Sequence, residues 1–175
     1  MNKLCVVLLI VVSCLAVCSC NKPGSVSEKN DLSAKQGGAA PDFTLKNLEG
    51  GNVQLSQYRG KIVLLEFWAP WCPPCKATIP QLTAVQTKYR ERGVVVLGIA
   101  VDEDIGSIQK LSAFSQEYGI NYHVLLGNET VERAYHVSSI PMIFLIDKEG
   151  MIVNSHTGYV DEFASQVSEE IARIP

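Results

Sequence analysis

Apolar residues follow two alternating rhythms along most of this chain: short unbroken runs, and stretches where they return every third or fourth position. The first rhythm marks strands buried on both faces, and the second marks one face of a helix. Phe43-Thr44-Leu45 and Val53-Gln54-Leu55 alternate around Glu49-Gly50-Gly51-Asn52, which predicts a hairpin. After a short turn at 56–60, residues 61–67 read as a buried strand. Residues 73–92 then read as a helix through Ile79, Leu82, Val85 and Tyr89, kinked by Pro80 and stopped by Gly93. A second buried strand covers 94–101. Ile105, Ile108, Leu111, Phe114 and Tyr118 give a helix that ends at Gly119. A strand at 122–126, a short helix at 129–135 and a strand at 142–146 follow. Lys148-Glu149-Gly150 turns the chain into an antiparallel partner at 151–154, and Asp161 is placed to cap a last helix carrying Phe163, Val167 and Ile171. This order describes an α/β sandwich around a mixed sheet.

The first forty residues belong to a different regime. Lys3 followed by an aliphatic stretch from Leu4 to Val12 reads as an export signal over residues 1–20. Four of the six cysteines (Cys5, Cys14, Cys18 and Cys20) lie there, so they form no disulfide framework. Val17-Cys18-Ser19-Cys20 resembles a bacterial lipoprotein box, and Cys20 is the candidate lipidation site because the chain turns polar directly after it. An uncleaved anchor is the alternative, and either one ties the domain to a membrane outside the cytoplasm. Residues 21–40 are rich in Gly, Ser, Lys and Asn and read as a flexible tether. Residues 41–175 suit one domain with one core. A net charge of −3 without a basic cluster gives no reason to expect nucleic acid, and we expect a monomer.

The densest chemistry is Phe67-Trp68-Ala69-Pro70-Trp71-Cys72-Pro73-Pro74-Cys75. Two cysteines two residues apart stand where a strand gives way to a helix. A cysteine there meets unpaired backbone N–H groups and the positive end of the helix dipole, both of which favour thiolate. Thiolate attacks disulfides, so Cys72 is the expected exposed nucleophile and Cys75 the resolving thiol. The prolines between them suit a helix start. A zinc site would need a second ligand pair, which His123, His136 and His156 do not supply by spacing. Copper(I) on two thiolates and a static disulfide are the remaining alternatives.

The chain resembles a thioredoxin-fold protein of the membrane-tethered ResA/TlpA-like kind from about Ala40 to Pro175. The residues that carry this are Phe67 to Lys76, Pro80, and Ile140-Pro141 ahead of Met142-Ile143-Phe144-Leu145-Ile146-Asp147. The resemblance implies a three-layer sandwich with a central mixed sheet and an N-terminal β-hairpin. It also implies that Pro141 is cis and faces the dithiol, with Ile140 offering backbone groups to substrate. Substrate contacts are then expected at Trp71, Pro73, Pro74, Ile140 and Pro141, while Trp68 packs beside the site and Tyr135 and Tyr159 fill apolar space. No cofactor beyond a Cys72–Cys75 disulfide is expected, and no metal. The implied activity is thiol–disulfide exchange, as a reductant of exported proteins such as apocytochrome c, recharged by a membrane electron donor of the CcdA/DsbD type. Peroxiredoxins share the fold, but their reactive cysteine sits in a Pro-x-x-x-Thr/Ser-x-x-Cys setting. Copper chaperones of the Sco type separate their cysteines by three residues and add a histidine.

Glu66 stands six residues before Cys72 inside an apolar strand. Thioredoxins carry a buried aspartate at the matching position, many ResA/TlpA-like proteins an asparagine, and the lysine that thioredoxins place near that acid corresponds to Gly98. A desolvated carboxyl favours its protonated form, which suits a group that passes a proton to or from Cys75. The plainer alternative is a half-exposed glutamate on a strand edge.

The lipoprotein reading makes a direct prediction. Metabolic labelling with a fatty acid is expected to be lost in Cys20→Ser and kept in Cys14→Ser. Mass spectrometry that finds residues 1–20 intact on the mature protein would rule it out.

Overall fold

The computed structural model describes residues 34–101 and 108–175. The expected signal, Cys20, the tether before residue 34, and Ile105 lie outside them. Among the described residues seven strands are formed: β1 (Thr44–Lys46), β2 (Asn52–Gln54), β3 (Ile62–Trp68), β4 (Val94–Ala100), β5 (His123–Leu126), β6 (Met142–Ile146) and β7 (Ile152–Thr157). Four α-helices accompany them: α1 (Pro73–Tyr89), α2 (Ile108–Glu117), α3 (Glu129–Ala134) and α4 (Phe163–Arg173). β1 and β2 pair as an antiparallel hairpin, with Leu45 opposite Val53. The other five form one mixed sheet in the order β5-β4-β3-β6-β7.

Every residue of β3 is buried, as its unbroken apolar run requires of a central strand. Its side chains still alternate between two faces. Val63, Leu65 and Phe67 pack with the hairpin residues Phe43, Leu45 and Val53 and with Tyr135. Ile62 and Leu64 point the other way, against Leu82 and Val85 of α1 and Phe163 and Val167 of α4. Trp68, on that second face, joins a third cluster with Cys72, Cys75, Ile79 and Leu111.

Several details differ from the sequence expectation. Residues 34–40, read as the end of a tether, are bonded to the domain: Gly37 N–H donates to Ile152 O and Ala40 N–H to Gly150 O. β7 runs three residues past Asn154, because antiparallel pairing continues to Met142 opposite Thr157. Helix α1 ends at Tyr89 and not at residue 92, and passes through a 3-10 turn (Arg90–Arg92) into Gly93 at φ 78°. Asp161 does not cap α4. The N-cap is Glu162, without a side-chain bond. Instead Gln81 of α1 accepts from Ala164 N–H and donates to Val160 O, so a neighbouring helix satisfies this end. Tyr159 is 43% exposed, not filler, while Tyr135 is buried with its hydroxyl donating to Pro41 O.

Gly98 of β4 lies opposite Glu66 in the parallel β3–β4 register. A Cβ at this position would stand 2.9 Å from Trp68 Nε1 and 3.1 Å from Tyr122 Cε2. Two rings thus fill the space that a side chain would take. Gly98→Ala is expected to lower unfolding stability by about 1–3 kcal/mol through overpacking. Urea unfolding with an unchanged or raised midpoint would show that the rings yield freely.

Candidate active site

β3 delivers the chain to the reactive loop, and α1 begins within it. Cys72 is the N-cap of α1, at φ −89° and ψ 107°, and its Sγ accepts from Cys75 N–H at 3.2 Å. The two cysteines form a disulfide with Cα atoms 5.3 Å apart, within the ordinary range for such a bond. Pro73 and Pro74 occupy the first two helical positions, where a missing N–H costs no intrahelical bond. Their absence of donors has a further consequence: of the first three helical residues, only Cys75 can donate to the Cys72 sulfur. The sequence reading expected several free N–H groups there.

The disulfide is less open than expected from sequence. Cys72 is 3% exposed and Cys75 fully buried, within a cluster of Trp68, Ile79 and Leu111 that Ile140 packs against. The Ile140–Pro141 bond is cis. Cys72 Sγ lies 3.8 Å from the Ile140 carbonyl oxygen, while the Pro141 carbonyl accepts from Gly158 N–H. Pro141 itself is buried and Ile140 half-buried. Trp71, by contrast, is 64% exposed, and Pro73 and Pro74 stand exposed beside it. The structure therefore brings Trp71, Pro73, Pro74, Ile140 and Pro141 around one sulfur pair.

Glu66 is fully buried on the central strand, with Gly98 and Ile143 as its cross-strand neighbours. The strand-edge alternative is excluded. Burial pushes its carboxyl up to about 8, and a hydrogen bond from the Tyr122 hydroxyl to Oε2, at 3.4 Å, partly offsets that rise. Oε1 has no hydrogen-bond partner among the described residues, and neither does Trp68 Nε1. Burial and the adjacent Glu66 hold the Tyr122 phenol well above its usual range, so it remains a donor.

Two features were not found from sequence. Tyr122 read as the opening residue of a strand, and only the β3–β4 register shows that Gly98 makes room for its ring. Lys76 is the second: its ammonium sits 5.8 Å from the Phe114 ring and 5.6 Å from Tyr118, which stack on each other at 4.2 Å. Trp68 continues that stack at 5.4 Å from Phe114. Helical spacing had put Phe114 and Tyr118 on one face but named no partner for them. His156 is engaged elsewhere, 3.1 Å from Glu170.

Residues 36–155 match the AhpC/TSA family. The chain is 37% identical over 123 residues to the thiol-disulfide oxidoreductase ResA of Geobacillus kaustophilus, covering 70% of this chain and 69% of that one. It is 35% identical over 131 residues to ResA of Bacillus subtilis, covering 74% and 72%. Among solved structures, a Chlorobium tepidum protein described provisionally as the thiol:disulfide interchange protein DsbE superposes with a TM-score of 0.73 at 30% identity. That match covers 80% of this chain and 97% of the other.

The buried carboxyl makes stability depend on pH. Its folded value, about 8, lies above the ordinary 4.5, so the folded state holds the proton more tightly. The contribution of Glu66 to stability is then full below about pH 4.5, falls as pH rises, and levels off above 8. Glu66→Gln removes this slope. The variant is expected to gain roughly 3–5 kcal/mol relative to the parent between pH 5 and pH 9. Parallel stability curves from denaturant titrations across that range would mean the carboxyl is already ionised in the fold.

Proposed function

The chain belongs to the AhpC/TSA family and is a thiol-disulfide oxidoreductase, and from that premise we propose that it acts outside the cytoplasm as a reductant of disulfides in exported proteins. Apocytochrome c is the proposed substrate type. The observation that carries the direction is the pair of prolines at the start of α1. A thiolate at Cys72 is stabilised by backbone donors, and strong stabilisation makes a dithiol oxidising. Here Pro73 and Pro74 leave the Cys75 N–H as the donor to Cys72 Sγ. Limited stabilisation of the thiolate favours a pair that gives up electrons.

In the forward reaction the Cys72 thiolate attacks a substrate disulfide, and one substrate sulfur leaves as thiolate. Cys75 then loses its proton and attacks Cys72 Sγ. The second substrate sulfur departs, and the Cys72–Cys75 bond closes. A membrane dithiol donor of the CcdA/DsbD type reverses that closure. Its thiolate attacks Cys72, Cys75 leaves, and the neutral Glu66 carboxyl supplies the proton that Cys75 takes up. Trp71, Pro73, Pro74 and Ile140 form the docking surface, where an extended substrate segment lies along the Ile140–Pro141 backbone. Lipid on Cys20 holds the domain at the membrane. No helix among the described residues is long and apolar enough to cross a bilayer. A peroxidase would first oxidise one thiol to a sulfenic acid, whereas here the partner sulfur sits three residues away in a closed bond.

Equilibration of the soluble domain with glutathione and dithiothreitol buffers is expected to give a potential below about −200 mV. In parallel, Cys75→Ser should accumulate a mixed disulfide with oxidised apocytochrome c through Cys72. A potential near that of strong oxidants, about −120 mV, would reverse the proposed direction. Faster alkylation of Cys75 than Cys72 in the reduced protein would reverse the two roles.

A further inference from the structure

The α1-facing side of β3 reads Ile62, Leu64, Glu66, Trp68, and the carboxyl interrupts an otherwise apolar row. Leu64 belongs to the cluster under α1 and α4, and Trp68 to the cluster that holds the disulfide. Glu66 therefore lies at the seam between them, and Tyr122 reaches it from the segment leading into β5. That reach depends on two local arrangements. Gly98 leaves the gap between Glu66 and the Tyr122 ring free of a side chain. Asn121 ties the adjoining backbone to α1, its amide donating to Thr83 O at 3.2 Å and Thr87 Oγ1 at 2.9 Å.

We propose that Tyr122 is a positioning residue for Glu66, fixing Oε2 as the acceptor oxygen and leaving the carboxyl proton on Oε1 for exchange with Cys75. This rests on the reading of Glu66 as the proton carrier of the dithiol. A hydroxyl that donates to Oε2 makes that atom the carbonyl oxygen of the neutral acid, so the acidic proton resides on Oε1, the oxygen without a partner among the described residues. When the disulfide is reduced, the Cys72–Cys75 bond breaks with its electron pair going to Cys75 Sγ, and the proton on Oε1 passes to that sulfur. In resolution the same proton returns from Cys75 to the Oε1 carboxylate, while the sulfur's electron pair forms the new bond to Cys72. A free carboxyl rotor would present the proton in many directions; the phenol holds one.

No other charge competes for this role among the described residues. Its cross-strand neighbours are Gly98 from β4 and Ile143 from β6, and α1 contributes Leu82 to the cluster of Leu64 and Cys75 and Ile79 to that of Trp68. Burial and Tyr122 are the influences on the Glu66 carboxyl. The hydrogen bond from the phenol is stronger to carboxylate than to the neutral acid, so its loss moves the titration upward.

The test is Tyr122→Phe in the full disulfide-linked domain, with the Glu66 carboxyl followed by carbon-13 chemical shift against pH. The midpoint is expected to rise by about 0.5–1 pH unit, and the pH profile of thiol exchange to rise with it. Should that variant be too unstable to titrate, a trifluorotyrosine at 122 keeps the ring and strengthens the donor, and the midpoint should fall. A midpoint unmoved, or displaced in the opposite direction, in either protein overturns the role of Tyr122. A midpoint that shifts as expected, with identical exchange profiles for the parent and Glu66→Gln, overturns instead the reading of Glu66 on which the proposal rests.

Discussion

The pairing of β3 with β6 determines where the chemistry occurs. The two strands run antiparallel, with Phe67 opposite Met142. The end of β3 therefore lies beside the beginning of β6. One residue beyond Phe67 the chain turns toward Cys72, and one residue before Met142 stands the cis Pro141. Residues some seventy positions apart become neighbours through one register, and Cys72 Sγ comes to 3.8 Å from the Ile140 carbonyl. A slip of one residue would carry Glu66 and Trp68 to the hairpin side of the sheet and Phe67 to the α1 side, which the packing of both faces forbids. The parallel pairing with β4 adds the second requirement, that Gly98 stand opposite Glu66.

How much of this was legible follows from which interactions are local. Strand and helix identity came from apolar rhythm, and the order of elements held from the hairpin to α4. The dithiol and its helix start were plain because Cys72 to Cys75 is one turn of chain. The cap of α4 was misread because Gln81, eighty residues upstream in α1, performs the work that Asp161 was expected to do. Residues 34–40 looked like linker by composition, yet Gly37 N–H donates to Ile152 O on the edge strand β7 and Ala40 N–H to Gly150 O in the turn before it. Tyr122 carried no signal of its own, since a phenol at a strand entrance is common and its partner Glu66 is 56 residues away.

The exposure of Cys72 was misjudged for a related reason. Helix-start geometry says that a sulfur points outward, but the segment that leads into β6 packs against it. In the disulfide state the sulfur pair belongs to a packed cluster that Ile140 joins, while Trp71 beside it is exposed.

The two sulfurs are controlled by two separate devices of opposite character. Cys72 is governed by backbone donors, whose number the two prolines reduce. The acid that the proposed mechanism assigns to Cys75 is Glu66, whose proton is held by desolvation. The helix-start donor reaches Cys72 alone, because the Cys72 sulfur is the one that accepts from a first-turn N–H. A buried carboxyl instead changes state with pH, near 8. In the proposed reaction pH should therefore act on the departure of Cys75. On the proposed mechanism the fold tunes the two halves of the exchange separately, through a proline pair at the surface beside Cys72 and a buried tyrosine on the acid assigned to Cys75.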